Sequence, residues 1–133
     1  SHLHVQKNSQ DAMSTFYPYY AGYFRNHAPD QYRAREISRD AYEQLASRDG
    51  ALFVGSPQQI VDKILHGYEL FRHQRFMAQI DIGGLPYPKV AEAIELLATE
   101  VAPAVQREVA AGGSRDRAQA DRAFVAGGGE FRF

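Results

Sequence analysis

Asp81 is the carboxylate whose position points most directly to chemistry. Arg75 to Ile82 alternates, with Phe76, Ala78, Ile80 and Ile82 on one face, so Met77, Gln79 and Asp81 point the other way. A carboxylate near the end of such a strand hydrogen-bonds a ligand or a neighbouring strand, or else it caps the following turn or pairs with an arginine. Gly83-Gly84 permits positive φ and close approach of backbone to a ligand, and equally suits an ordinary strand-to-helix turn. Gly55-Ser56 stands where a helix begins. Free N–H groups and the positive end of the dipole there would receive an anion, unless Ser56 only caps its own helix. His2 and His4 share one strand face with Gln6, a spacing two metal ligands can use, but no carboxylate or third histidine completes a set. His66 and His73 lie two full helical turns apart, too far to chelate, so no metal is expected. No serine sits on a nucleophile elbow. The tyrosines of Tyr17 to Tyr23 can stack a ring, although an aromatic stripe at helical spacing is ordinarily core.

The elements that must position these residues are punctuated clearly. Ala51-Leu52-Phe53-Val54 is a strand-length apolar run ended by Gly55. Ser56-Pro57-Gln58-Gln59 predicts a helix start, with Ser56 as N-cap, Pro57 at the first helical position and Gln59 closing a capping box. Ile60, Ile64, Tyr68 and Phe71 carry that helix to about His73. The Arg75–Ile82 strand follows, then a turn through Gly83 to Pro88. The last helix, from Pro88, is expected to bury Val90, Ile94, Leu97, Val101 and Val105, with Pro103 bending or interrupting it. Upstream, His2 to Gln6 reads as a half-buried strand. Asn8 or Ser9 caps a helix whose stripe is Ala12, Phe16, Tyr20 and Tyr23, kinked by Pro18. Asn26 to Asp30 is a breaker cluster, Gln31 to Ile37 a surface loop, and Ser38 caps a short helix, Arg39 to Ala46. Three strands, each followed by a helix, predict a parallel α/β layer. Three parallel strands cannot close a barrel and leave their edges unpaired, so the expectation is the last part of something larger. The mid-strand opening agrees with that, a tag remnant at Ser1-His2 being the alternative.

Composition bounds the rest. The chain has 133 residues, 44% hydrophobic and 23% charged, with a net charge of −1, which suits one globular unit rather than a nucleic-acid surface. With no cysteine, it has no disulfide framework, thiol nucleophile or thiolate metal site, which fits a cytoplasmic protein. No run approaches a membrane span. Residues 1–111 read as the folded unit. Residues 112–133, with Gly112-Gly113-Ser114 and Gly127-Gly128-Gly129, read as a low-complexity, flexible tail.

Several separated stretches, in order, resemble one family. Ser1-His2 through Ser9-Gln10-Asp11-Ala12 and Phe16-Tyr17-Pro18-Tyr19-Tyr20 resemble a segment of the bacterial luciferase-like flavin-dependent monooxygenases. Gly50-Ala51-Leu52-Phe53-Val54-Gly55-Ser56-Pro57-Gln58-Gln59 is similar to that family's G-A-L-F-V-G-S-P-x-x stretch. Phe71 to Phe76, Gly83-Gly84-Leu85-Pro86, Ile94-Glu95-Leu96 and Val101-Ala102-Pro103 continue the likeness, which covers about residues 1–109. The resemblance implies a (β/α)8 TIM barrel, of which this chain would be the C-terminal part, about three strand–helix units. It implies reduced FMN, or F420 in relatives, at the C-terminal ends of the strands, where a flavin peroxide oxygenates a small organic substrate. On that resemblance His2, Gly55, Ser56, Asp81, Gly83 and Gly84 would lie around the flavin, with no residue assigned a catalytic role. Two departures stand out: Gln79-Ile80-Asp81-Ile82 is more polar than the family's last strand end, and the residues after Gly112 have no counterpart in its pattern.

Two expectations follow. One is a piece of a flavin-dependent oxygenase, inactive by itself, whose complete form takes flavin and a small molecule. The other is a non-catalytic barrel module that self-associates through its exposed strand edges as a homo-oligomer. Neither involves nucleic acid or membrane.

Overall fold

The structure, a computed structural model, describes residues 1–27 and 37–112. At its centre lies β1 (Leu3–Val5), all three residues of which are buried. It pairs in parallel with β2 (Phe53–Gly55), Leu3 opposite Phe53, His4 opposite Val54 and Val5 opposite Gly55. Strand β2 begins two residues later than the apolar run predicts, because the Leu52 N–H is spent on the Leu45 carbonyl at 2.9 Å.

The strand expected over Arg75–Ile82 is reduced to a single parallel bridge, His2 with Gln79. Leu3 N–H donates to the Gln79 carbonyl at 3.0 Å and Gln79 N–H to the Ser1 carbonyl at 2.8 Å. The Ser1 ammonium adds one more bond, to the Met77 carbonyl at 2.9 Å, but pairing does not continue past Gln79, and beyond it Gly83 and Gly84 take φ of 65° and 76°, off the extended line. This third segment also lies beside β1, not beyond β2, so β1 is central. A barrel run sets each strand next to its predecessor; these elements do not adopt that order.

Helices cover both faces. Helix α1 (Ser9–His27) starts where Asn8 Oδ1 accepts the N–H groups of Gln10 and Asp11, at 2.8 and 3.1 Å. Pro18 removes one rung, yet the helix continues past it, since Ala12, Phe16 and Tyr20 anchor both halves. They pack with Tyr42 of α2 (Arg39–Ala46), Leu52, Val54 and Ile82. The opposite face carries Leu3 and Val5, which pack on Ile60, Val61 and Ile64 of α3 (Pro57–Phe71) and Ala93 and Leu96 of α4 (Tyr87–Leu96). Phe76, Ala78 and Ile80 join this second cluster, whereas Ile82 crosses to the first. The four do not share one face as their alternation predicts.

The predicted stripe of the last helix is rotated. Ala93, Leu96 and Val101 are buried, while Ile94 is 51% exposed. A π-helical turn, Leu97–Val101, explains the change of register: Ala102 N–H bonds the Leu97 carbonyl, five residues back. It sits directly before Pro103, whose ring conflicts with an ordinary α turn. Helix resumes over 102–112. The breaker at Ala28–Asp30, the loop over Gln31–Glu36 and the tail beyond Gly112 lie outside the described residues.

Candidate functional site

Ser56 does what its helix start requires. Its hydroxyl accepts from the Gln59 N–H, and its own N–H donates to Gln59 Oε1 at 3.0 Å. Both halves of the capping box are closed, so these donors are already used and an anion there would have to displace them. Gly55 serves the same box. A Cβ built on it would stand 2.4 Å from Gln59 Oε1, so the close approach belongs to the chain's own glutamine.

His2 opens β1, three residues before Val5 opposite Gly55, which sets the two positions roughly 10 Å apart along the strand. Its ring meets Tyr20 and Tyr23 edge-on, at 5.8 and 5.2 Å between centroids. Burial first, then the Ser1 ammonium, lower its pKa, against a hydrogen bond with the Gln79 side chain. Gly83 is pressed against α1: a Cβ would lie 2.2 Å from the Tyr19 carbonyl oxygen. Asp81 is exposed, and Gly84 has open space where a Cβ would go.

The six residues proposed around a flavin therefore do not form one site in this chain. His2 and Gly83 converge on the Tyr19–Tyr23 part of α1, Gly55 and Ser56 lie at the other end of the sheet, and Asp81 and Gly84 are open. A flavin needs a slot for its ring system and free donors for its phosphate; these residues present neither together.

The polar residues that do stand out are His4 and Gln6. His4 is fully buried, its ring stacked on Phe16 at 5.3 Å, and neither ring nitrogen has a hydrogen-bond partner. Gln6, two residues along on the same face and 3% exposed, has an unpartnered Nε2. Burial above all, and then Lys89, lower the His4 pKa from 6.5 to about 4, against the opposing charge of Glu92. The sequence placed both on the face opposite Leu3 and Val5, but gave no sign that this face would be sealed by Phe16.

A second buried polar group is Lys63. Its Nζ donates to the carbonyls of Ala46 (3.4 Å), Ser47 (2.5 Å) and Leu52, and lies 4.9 Å from the Phe53 ring centroid. Burial brings its pKa down to about 8, with Asp49 pulling the other way. Beside it, His66 Nε2 is 2.9 Å from Asp49 Oδ1, and Arg48 lies 3.3 Å from His66 Nδ1. An arginine can only donate, so Nδ1 accepts and the ring proton sits on Nε2, facing the carboxylate. The sequence carried a signal for Lys63, three residues after Ile60 and so at the edge of the buried stripe of α3, which the motif reading missed. The approach of Asp49 to His66 carried no sequence signal.

Among the described residues no three metal-ligating side chains converge, and no helix is long and apolar enough to cross a membrane. In comparison with known proteins, no family model matches the chain and no curated protein matches it significantly.

Proposed function

We propose that the chain is part of a flavin-dependent oxygenase of the luciferase-like kind, and that its polar sheet face works against strands beyond those it carries. The observation behind this reading is the His4–Gln6 pair. Buried polar groups without partners cost about 1–3 kcal/mol each. A face carrying two of them under a phenylalanine is mismatched to its cover. In a barrel that face would look inward, where polar side chains of other strands, or a ligand, supply partners. The motif resemblance points the same way, and the scattered flavin set is what a piece without its other strands would have. The flavin, FMN or F420, would supply the oxygen chemistry; this part would supply backbone close to it at Gly84 and a carboxylate at Asp81.

A flavin titration of the larger gene product beside this chain tests the proposal. Saturable binding of reduced flavin by the larger protein, weakened by Asp81→Ala, is the expected result. No flavin binding by the larger protein would end the reading.

The second reading, a self-associating module, is favoured by one feature. Val90 and Ile94 line an open groove with Ala78 and Ile80, beside a segment that pairs with β1 only through Met77 and Gln79. An apolar groove along an unpaired edge suits another copy of this chain. Sedimentation across a concentration series would show reversible dimers; a monomer at every concentration sinks this alternative.

A further inference from the structure

A sizeable cavity lies not at the Gly55 end of the sheet but at the start of β2, between α3 and the segment after it. Its volume is about 740 Å³, within the range of small-molecule sites. Its floor includes Phe53 and Phe76, whose rings lie 4.8 Å apart. Leu70, Phe71 and Met77 line it while 61, 77 and 73% exposed, so three of the six large apolar side chains most exposed on the described surface gather at this one cleft. Scattered singly such residues mean little; contiguous ones call for an occupant.

The polar lining is lopsided in charge. Arg48, Lys63, Arg75 and the Ser1 ammonium, the last bonded to the Met77 carbonyl, face one carboxylate, Asp49. Asp49 is engaged by His66, and Lys63 is held by three carbonyls. Arg75, exposed at the cleft, has no partner among the described residues, and Arg48 gives only one contact to His66, leaving most of its five N–H donors. The carbonyls ending α3 oppose an anion here, but with about half a unit charge. That is less than either arginine contributes. At the same rim Arg72 ends α3 as its left-handed cap, φ 50°, with its N–H on the Tyr68 carbonyl.

We propose that this cleft binds an amphipathic organic anion, a carboxylate on an aryl or alkyl body, with the head on Arg75 and Arg48 and the body over Phe53, Phe76 and Phe71. An inorganic anion would leave the apolar floor wet, and a neutral hydrocarbon would leave Arg75 unused. The geometry of a carboxylate suits the arginine fork. This site is independent of the flavin reading.

The test is calorimetric titration of this chain with 4-phenylbutyrate, 4-phenylbutylamine and butyrate. Phenylbutyrate should bind saturably with a Kd of about 1 mM or tighter, and Arg75→Glu, at an exposed position, should weaken it about tenfold or more. Lys7→Glu, the same change of charge outside the cleft, should leave binding within about twofold. Binding of the amine as tightly as the acid, or an affinity that Arg75→Glu leaves unchanged, would overturn the proposal. So would butyrate binding as well as phenylbutyrate, or no saturable binding up to about 10 mM, a concentration worth only about 2.7 kcal/mol.

Discussion

Replacing His4 by leucine should make this chain more stable, and more so as the pH falls. Leucine fills about the same space against Phe16 and brings no polar atom. The neutral imidazole has one donor and one acceptor, both buried without a partner. Relieving them is worth about 1–3 kcal/mol each, against about 0.5–1.5 kcal/mol lost with the ring stack, so a net gain of about 1–5 kcal/mol is expected at pH 7.5. The pH term adds to this. The folded state takes up the His4 proton only near pH 4, the unfolded state near 6.5. Between those values the unfolded chain binds more protons, so stability falls as pH is lowered; above about 6.5 the term vanishes. It reaches about 2 kcal/mol at pH 5 and about 3 kcal/mol below pH 4.

The assay is urea unfolding of both proteins at pH 7.5 and pH 5, followed by circular dichroism because the chain has no tryptophan. Taking the difference between the two proteins removes the other titrating groups. A gap that widens by about 2 kcal/mol from pH 7.5 to pH 5 is the expected outcome. A His4→Leu protein less stable at pH 7.5, with a gap that does not change with pH, would refute the reasoning: His4 would then have a partner, and the sealed face would not be mismatched.

Other outcomes follow from single contacts. Lys63→Met keeps the stem but leaves three carbonyls without their donor, and should cost about 2–3 kcal/mol in the same denaturation assay; a neutral result would mean that water replaces the ammonium easily. Its depressed pKa adds stability as pH rises from about 8 through 10.5, when the unfolded chain holds the proton more tightly, and Lys63→Met should abolish that rise. Gly83→Ala and Gly84→Ala both place a side chain at positive φ, but only the first drives a Cβ into the Tyr19 carbonyl. Gly84→Ala should cost about 1–2 kcal/mol and Gly83→Ala at least about 2 kcal/mol more, read as a difference in urea midpoints.

Local signals in the sequence survive well. Asn8, Ser38 and the Ser56–Gln59 box each cap the helix they announce, because a cap is a contract among residues three apart. The stripe of α1 buries Ala12, Phe16 and Tyr20 as its spacing requires, with Tyr23 half-buried against His2. The failures are non-local. Alternation over Phe76 to Ile80 correctly reports which side chains are half-buried, but it says nothing about which strand supplies the hydrogen bonds, and only Met77 and Gln79 find any, from Ser1 and Leu3. Pro103 announced a disturbance, yet the added residue of a π turn, which rotates Ile94 outward, depends on how α4 meets Leu3 and Val5. Of the candidate site, Lys63 could be read from helical spacing. The cleft could not, since its floor joins residues from β2 and from the segment after α3.

The position of Gln79 is where the barrel reading can be pressed hardest. In this chain it occupies the edge of β1 away from β2, an edge that barrel order reserves for the preceding strand. If the proposed function is right, the larger protein moves the third segment to β2, and His2 and Gln79 part. The chain has no cysteine, so a His2→Cys/Gln79→Cys pair reports on this without background. Neighbouring parallel strands hold Cα atoms within the reach of a disulfide. In this chain the pair should close under mild oxidation and, by linking positions 77 residues apart, raise stability by up to about 4 kcal/mol. In the larger protein it should stay reduced while folded. Ready closure in both would mean that the order seen here is the order of the whole protein, and that the resemblance to a barrel enzyme does not extend to its fold.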